Sequence, residues 1–156
     1  CRIIQLFKGP DKTSRFLDVI AFGSYNAHIK NPATTVDWLS KDKMIVQMYN
    51  LDQWCGNRPS VSFYKDMMCL LSMIHKPEAI RKIRKELPVY FIYGTEDPVG
   101  DYGRSVENLI GIYKNNGMTN IEYKAYKNDR HEVLNETDKE KVEKDVLTWL
   151  SKTLTE

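Results

Sequence analysis

The spacing of apolar residues changes near residue 88. Before that point, apolar residues recur three and four positions apart, which predicts amphipathic helices joined by irregular segments. The segment VSFYKDMMCLLSMI (61–74) is the clearest example, and its spacing predicts one packed helix face. That face consists of Phe63, Met67, Leu70, Leu71 and Ile74.

Three further segments in this half have helical patterns. The first ends at Gly23, and the second contains Thr34 and Ser40 as candidate N-caps. The third starts again at Pro77, a favoured first residue of a helix. The segments are TSRFLDVIAF (13–22), TTVDWLSKDKMIVQMYN (34–50) and KPEAIRKIRKEL (76–87).

From residue 88 onward, the pattern is typical of alternating strands and helices. PVYFIYG (88–94) is a continuous apolar run, which predicts a strand buried on both faces of a parallel sheet. IEYKAY (121–126) alternates and predicts a second strand. The segment between them predicts a helix closed by Gly117, and another helix follows the second strand. This order predicts the α/β class, with a right-handed βαβ unit.

The composition allows one ordinary folded domain. The chain has 156 residues, of which 42% are hydrophobic and 28% charged, so it can bury a single core. Its 23 basic and 21 acidic residues leave a net charge of +2, too small to indicate a nucleic-acid partner. No segment approaches the roughly 18 consecutive apolar residues of a membrane-spanning helix. We therefore predict neither nucleic-acid binding nor a membrane span.

The cysteines add no metal site and no disulfide framework. Cys1, Cys55 and Cys69 lack the spacing of metal ligands and do not form an even set. We predict that they are free, buried thiols of a reducing compartment, which indicates a cytoplasmic location. The sequence predicts neither a metal nor an organic cofactor.

Candidate chemistry lies in the two loops that follow the predicted strands. Ligands of parallel α/β sheets gather beyond the carboxyl ends of the strands, so neighbouring strands would bring GTEDPVGDYG and KNDRHEVLNE together. His131 of the second loop can then pair with an acid of the first. Asp97 is favoured over Glu96 because Pro98 fixes the backbone after it and because its shorter side chain is held more rigidly.

Such a pair has a clear chemical use. A histidine near its ordinary pKa can take a proton from a nucleophile at neutral pH, and a carboxylate on its other ring nitrogen fixes the tautomer. The residues alone leave two interpretations of His131 open, a catalytic base or a surface or structural histidine. His28 and His75 are interpreted as structural, His75 through a contact at a helix C-terminus.

Three parts of the chain resemble α/β-hydrolases of the monoacylglycerol lipase or lysophospholipase type, a group often described as serine aminopeptidase-like. They are FGSYN (22–26), DWLS (37–40) and YGTEDPVGDYG (93–103) leading to RHEVLNE (130–136). The resemblance covers essentially the whole chain. It implies the C-terminal part of an α/β-hydrolase fold, with its last parallel strands and helices in residues 88–156. A helical cap, or lid, is implied for residues 1–87.

The resemblance assigns Asp97 as the acid and His131 as the base of a Ser-His-Asp triad, and the order of acid before histidine agrees with this fold. The family's nucleophile lies in a G-x-S-x-G turn, which is absent from these 156 residues. Ser24 in FGSYN lacks the second glycine and is interpreted as structural. The nucleophile and the oxyanion hole are therefore expected upstream of residue 1, and the isolated chain is expected to be inactive.

The expected activity of the intact protein is hydrolysis of carboxylic esters, with lipid-like substrates such as monoacylglycerols or lysophospholipids. Phe22, Tyr25, Trp38 and Trp54 are candidates for lining an acyl pocket, and the alternative is that they pack in the core of the cap. The N-terminal half of the fold or a second copy is expected to cover the open sheet edge. Two alternatives are a non-enzymatic binding or dimerisation module and a hydrolase with an Asp or Cys nucleophile.

Overall fold

A computed structural model describes residues 9–155 of the chain. Helices occupy the first part of this range, and two strands, each followed by a helix, occupy the second. In chain order the elements are α1 (Arg15–Phe22), a 3-10 turn (Asp37–Leu39), α2 (Lys43–Leu51), α3 (Val61–Ile74), α4 (Pro77–Arg81), β1 (Val89–Gly94), α5 (Arg104–Asn115), β2 (Ile121–Tyr126), a second 3-10 turn (Val133–Asn135) and α6 (Lys139–Thr155). The predicted α/β class and the predicted order of strands and helices are confirmed.

Strands β1 and β2 are parallel neighbours. Val89 lies opposite Ile121 at one end of the pair, and Gly94 lies opposite Tyr126 at the other. Helix α5 connects the two strands, as a parallel pairing requires. Both strands therefore end at the same edge of the sheet, which brings the 95–103 loop and the 127–136 loop together.

Strand β1 is less buried than its sequence predicts. Only Tyr93 and Gly94 are buried, and the other positions of the strand are half-buried, so the prediction of burial on both faces is wrong. Tyr90 stacks on Trp149 of α6 with ring centroids 5.4 Å apart, and Phe91 contacts the ring of Tyr113 in α5 at 5.9 Å. Each of these two rings is covered by one helix only, which leaves both positions half-buried.

Helix α6 is attached to β2 by polar groups as well as apolar ones. Tyr126 is 2% exposed and packs with Val133 and Val142 in a buried cluster. Its hydroxyl donates a hydrogen bond of 2.9 Å to Asp145, and the Lys124 ammonium lies 2.6 Å from the same carboxylate oxygen. The hydrogen bonds from Lys124 and Tyr126 hold the pKa of Asp145 below its ordinary value, against the effect of burial.

A second buried cluster joins the first helices. Leu17 of α1 packs against Val61 and Tyr64 of α3, with Ala21 and Met67 at its margin. Six of the buried apolar side chains of the described residues thus lie in two clusters, and the expectation of a single core stays a prediction. The division into a cap over 1–87 and a core over 88–156 stays a prediction.

The packed face of α3 differs from the predicted one. Val61 and Tyr64 are buried, whereas Phe63, Leu70 and Ile74 expose at least half of their surface. Of the predicted stripe, Met67 packs at the margin of the cluster that α3 forms with α1. The spacing of a stripe does not specify which element will cover it, so it could not secure the burial of Phe63, Leu70 and Ile74.

The N-cap of α2 also differs from the predicted candidates. Asp42 is the N-cap, and its carboxylate accepts a hydrogen bond of 2.8 Å from the Met44 N–H. Ser40 and Thr34 instead accept hydrogen bonds from N–H groups two residues further along the chain. The predicted caps are wrong because these hydroxyls stabilise the preceding turns.

Gly94 is the last residue of β1, where the 127–136 loop crosses the strand. A Cβ atom at this position would be 2.2 Å from the carbonyl oxygens of both Asp129 and Arg130, far inside van der Waals contact. The backbone of the 127–136 loop passes directly over the end of β1, and only glycine leaves room for it.

Gly94→Ala is therefore expected to lower the free energy of unfolding by about 2 to 3 kcal/mol, because backbone rather than a flexible side chain must move. Gly111→Ala is the matched control: its Cβ would meet nothing within 4 Å in helix α5. That change should raise stability by about 0.5 to 1 kcal/mol. Urea unfolding of the two variants tests the crossing, and equal stability of Gly94→Ala and wild type would contradict it.

Candidate active site

Asp97 follows the end of β1 and is held in place by its own loop. The residue is 7% exposed, and its Oδ1 atom accepts a hydrogen bond of 2.8 Å from the Val99 N–H. The same Oδ1 lies 3.1 Å from Nδ1 of His131. A carboxylate bound to the backbone two residues ahead has a restricted orientation, so Asp97 presents this oxygen to the histidine.

The 95–103 loop returns sharply towards Asp97. Asp101, Tyr102 and Gly103 have φ angles of 52°, 58° and 90°, a run of three residues in the left-handed region. The Tyr102 N–H donates a hydrogen bond of 2.8 Å to the Asp97 carbonyl, which ties the run to the base of the loop. At Gly103, a Cβ would lie 2.8 Å from the Tyr93 ring, so only glycine fits. Strain of this kind often occurs beside functional groups.

His131 lies on the second loop and remains open to solvent. Its side chain exposes 38% of its surface. Its backbone N–H donates to the Trp38 carbonyl at 3.4 Å, and the Trp38 ring lies 5.3 Å from the imidazole, centroid to centroid. The ring is thus bordered by Asp97 and Trp38 and can still be reached from outside.

Asp97 changes the protonation behaviour of His131. The hydrogen bond that His131 donates to Asp97 raises the pKa of His131, and partial burial acts in the opposite direction but is outweighed. With its proton on Nδ1 and directed at Asp97, the neutral ring leaves Nε2 free to accept a proton. The pair can therefore act as an oriented general base, and Glu96, whose side chain is exposed, does not take part in it.

Sequence reasoning missed that charged residues close to His131 in the same loop are buried. Asp129 is fully buried, and its Oδ1 lies 2.6 Å from the Lys41 ammonium. Burial works against the Lys41 charge, but the hydrogen bond to Asp129 and the fields of Glu136 and Asp129 outweigh it and raise the Lys41 pKa. Glu136 is 1% exposed as well. The available signal was the dense run of charges in NDRHEVLNE, which resembles a solvated loop until its partners in residues 37–41 are known.

The aromatic candidates divide into two groups. The rings of Phe22, Tyr25 and Trp38 form a contact series, with centroids 5.9 Å apart for the first pair and 4.9 Å for the second, and Trp38 continues it to His131. Burial and the charge of Asp97 raise the Tyr25 pKa, as expected for a phenol close to the site. Trp54 is 81% exposed and is not part of this series.

The other histidines have structural contacts. Nδ1 of His75 lies 2.7 Å from the Leu71 carbonyl at the C-terminus of α3, which confirms the structural interpretation. The His28 ring contacts the Tyr102 ring at 4.9 Å and so borders the 95–103 loop. Ser24 is exposed, and no hydrogen bond found within residues 9–155 joins it to His131.

The described cysteines differ in exposure. Cys55 is half-buried and Cys69 is exposed on α3, so the prediction of buried thiols is wrong for Cys69. Cys1 lies outside the described residues. Across the described range, no group of three or more potential His, Cys, Asp or Glu ligands is placed to hold a metal ion. None of the described helices is long and apolar enough to cross a membrane.

A cavity of about 480 Å³ lies close to the site but does not contain it. Residues of the 29–34 segment and of α2 form most of its wall, together with Arg130, while neither Asp97 nor His131 lines it. This cavity is therefore separate from the acid–base pair, and Asp37, Ser40 and Lys41 of the 37–41 segment line it.

The sequence matches a family model described as serine aminopeptidase, S33, over residues 7–138. The chain belongs to this family. It superposes on a highly thermostable carboxyl esterase from Bacillus coagulans, solved with glycerol, with a TM-score of 0.85 and 25% identity, over 96% of this chain and 49% of the esterase. A lipase in an open form gives a TM-score of 0.83 at 22% identity, with 96% and 49% coverage. No match was found among curated protein sequences.

These matches confirm the resemblance and the fold that it implied. The structure is a partial α/β-hydrolase fold, and the chain spans about half the length of the two solved structures, 49% of each. The catalytic roles of Asp97 and His131 stay predictions, although the structure brings the two side chains to within 3.1 Å.

The contact with Asp97 gives a testable titration. His131 should titrate above its ordinary pKa of 6.5 in the wild type. In Asp97→Asn its pKa should fall below the wild-type value, because the carboxylate is lost while partial burial remains. Glu96→Gln, a loss of charge in the same loop, is the control and should leave the wild-type value nearly unchanged. Proton NMR of the imidazole resonances measures all three, and equal values in Asp97→Asn and wild type would contradict the contact.

The same shift has a consequence for stability. A histidine whose pKa is raised by folding stabilises the fold below its unfolded pKa, and the contribution is lost as the pH rises through the folded pKa. The difference in unfolding free energy between wild type and His131→Gln should therefore shrink from pH 5.5 to pH 8.5. Urea unfolding at both pH values measures it, and a difference that grows over this interval would contradict the assignment.

Proposed function

We propose that the protein containing this chain hydrolyses carboxylic esters, with His131 as general base and Asp97 as the acid that orients it. The observation that carries the proposal is the 3.1 Å contact between His131 Nδ1 and Asp97 Oδ1, which leaves the other ring nitrogen free beside an open surface. Membership of the serine aminopeptidase S33 family and the likeness to a carboxyl esterase support it.

The proposed chemistry is acyl transfer through a serine. A serine outside these 156 residues attacks the ester carbonyl while Nε2 of His131 takes its proton. The same nitrogen then donates that proton to the leaving alcohol, and water hydrolyses the acyl-enzyme by the reverse proton transfer. Asp97 stays ionised and stabilises the imidazolium that forms in both steps. No cofactor is needed.

Lipid-like esters are the proposed substrates, with monoacylglycerols and lysophospholipids as the classes to test first. The contact series from Phe22 through Tyr25 to Trp38 supports this choice, because it places apolar surface next to His131. In this proposal, residues 1–87 form a cap over the site. The N-terminal half of the fold, or a second copy, covers the open edge of the two-stranded sheet.

A fluorophosphonate probe tests the reaction class on the complete protein that contains residues 1–156. One serine should be labelled, and His131→Ala should slow labelling by at least about 100-fold, the usual contribution of a general base. His75→Ala is the matched control and should label at the wild-type rate, since His75 only caps α3. A complete protein that folds but does not label supports a binding module or an Asp or Cys nucleophile instead.

The isolated chain gives an independent prediction. Residues 1–156 alone should not turn over p-nitrophenyl esters, because an acid and a base without a nucleophile cannot form an acyl-enzyme. Steady-state release of p-nitrophenol measures this. Turnover that His131→Ala abolishes would overturn the prediction and would indicate a nucleophile within the chain.

A further inference from the structure

Glu136 is a buried carboxylate to which the proposed chemistry gives no role. It lies just after the second 3-10 turn and is 1% exposed. A charged group of this kind is expensive to bury unless donors surround it, so its partners should explain its presence. All of the partners described here come from two short segments, residues 37–41 and 127–136.

The carboxylate joins these two segments through their backbones. Oε1 accepts a hydrogen bond of 2.8 Å from the Arg130 N–H, next to His131 in the chain. Both oxygens lie within reach of the Lys41 N–H, at 3.2 and 3.1 Å. The Ser40 hydroxyl lies 3.2 Å from Oε2 and 2.9 Å from the Asn135 carbonyl, so its single proton is shared between these acceptors.

Arg130 makes the reciprocal connection. Its Nη1 atom donates to the carbonyls of Asp37 and Ser40, at 2.6 and 3.0 Å. Glu136 thus accepts hydrogen bonds from the N–H and hydroxyl groups of the 37–41 segment, and Arg130 donates hydrogen bonds to carbonyl groups of the same segment. The two side chains leave few backbone groups of this segment free to pair elsewhere, which fixes its position on the 127–136 loop.

Two backbone hydrogen bonds also join the segments. The Glu132 N–H donates to the Leu39 carbonyl at 2.8 Å, and the His131 N–H donates to the Trp38 carbonyl at 3.4 Å. The second bond is long, and it lies at the point where the Trp38 ring meets the imidazole at 5.3 Å. A small movement of either segment would therefore change the position of the His131 ring relative to the Trp38 ring.

We propose that Glu136 is a positioning residue that locks the 37–41 segment onto the 127–136 loop and thereby sets the His131 ring against Trp38. This role rests on the proposed function only for its effect on turnover. Its effect on the structure can be measured without any reaction, from the Trp38–His131 ring contact and from the backbone hydrogen bonds between the two segments.

The test compares Glu136→Gln with Glu143→Gln by NMR and amide hydrogen exchange on the complete protein. Glutamine keeps the shape of Glu136 but turns an amide NH₂ towards donors, so one acceptor is lost. We expect loss of the Trp38–His131 ring contact and exchange of the Glu132 amide at least about tenfold faster, with α5 amides unchanged. Glu143 is exposed on α6, and its variant should match the wild type.

Two results would overturn the inference. Unchanged exchange and an intact ring contact in Glu136→Gln would show that the carboxylate does not fix the loop. Equal acceleration of the Glu132 and α5 amides would show general loss of stability instead of a local role. If Glu136→Gln fails to fold, Ser40→Ala decides: we expect the Lys41 amide to exchange about threefold faster with α5 unchanged, and no change would overturn the inference.

Turnover by the complete protein then separates this inference from the proposed function. We expect Glu136→Gln to lower kcat at least tenfold with KM within about twofold, because a misplaced base slows the chemical step more than binding. Glu136→Asp keeps the charge and should recover part of the loss. Absence of ester hydrolysis in the wild type would refute the proposed function while leaving the NMR result to decide the role of Glu136.

Discussion

The parallel pairing of β1 and β2 is the constraint on which the candidate site depends. Gly94 and Tyr126 are partners in the last register position, so both chains leave the sheet at the same edge. The 127–136 loop then crosses β1 so closely that its carbonyls occupy the space of a side chain at Gly94. This crossing brings His131 within hydrogen-bond distance of Asp97, 34 residues away in the chain.

Buried polar groups join the two segments that surround the site. The buried residues around the site include Ser40, Asp129 and Glu136, and each has partners on the opposite segment. Buried polar groups are costly when unpaired, so these pairings favour the observed register, although Asp129 Oδ2 and Arg130 Nε have no hydrogen-bond partner among the described residues. A site built in this way is specific in geometry, because a shift of one residue would leave several charges without partners.

Much of the fold could be predicted from the sequence. The apolar run 88–94 and the alternating run 121–126 predicted the two strands, and the order of elements predicted the βαβ unit. Local patterns of this kind depend on residues close together in the chain. The packed face of α3 and the burial of β1 were wrong because they depend on which elements lie beside them, and spacing does not specify a neighbour.

The sequence by itself determined the α/β class, the two loops that carry chemistry and the choice of Asp97 over Glu96 as the partner of His131. The class and the loops follow from local periodicity and from the rule that parallel strands end at one edge, and the choice of Asp97 follows from its shorter side chain and from Pro98 after it. Only the tertiary structure decided that Asp129 and Glu136 are buried anchors and not solvated charges. Their partners in residues 37–41 lie about ninety residues away in the chain, and only the folded backbone brings them into contact.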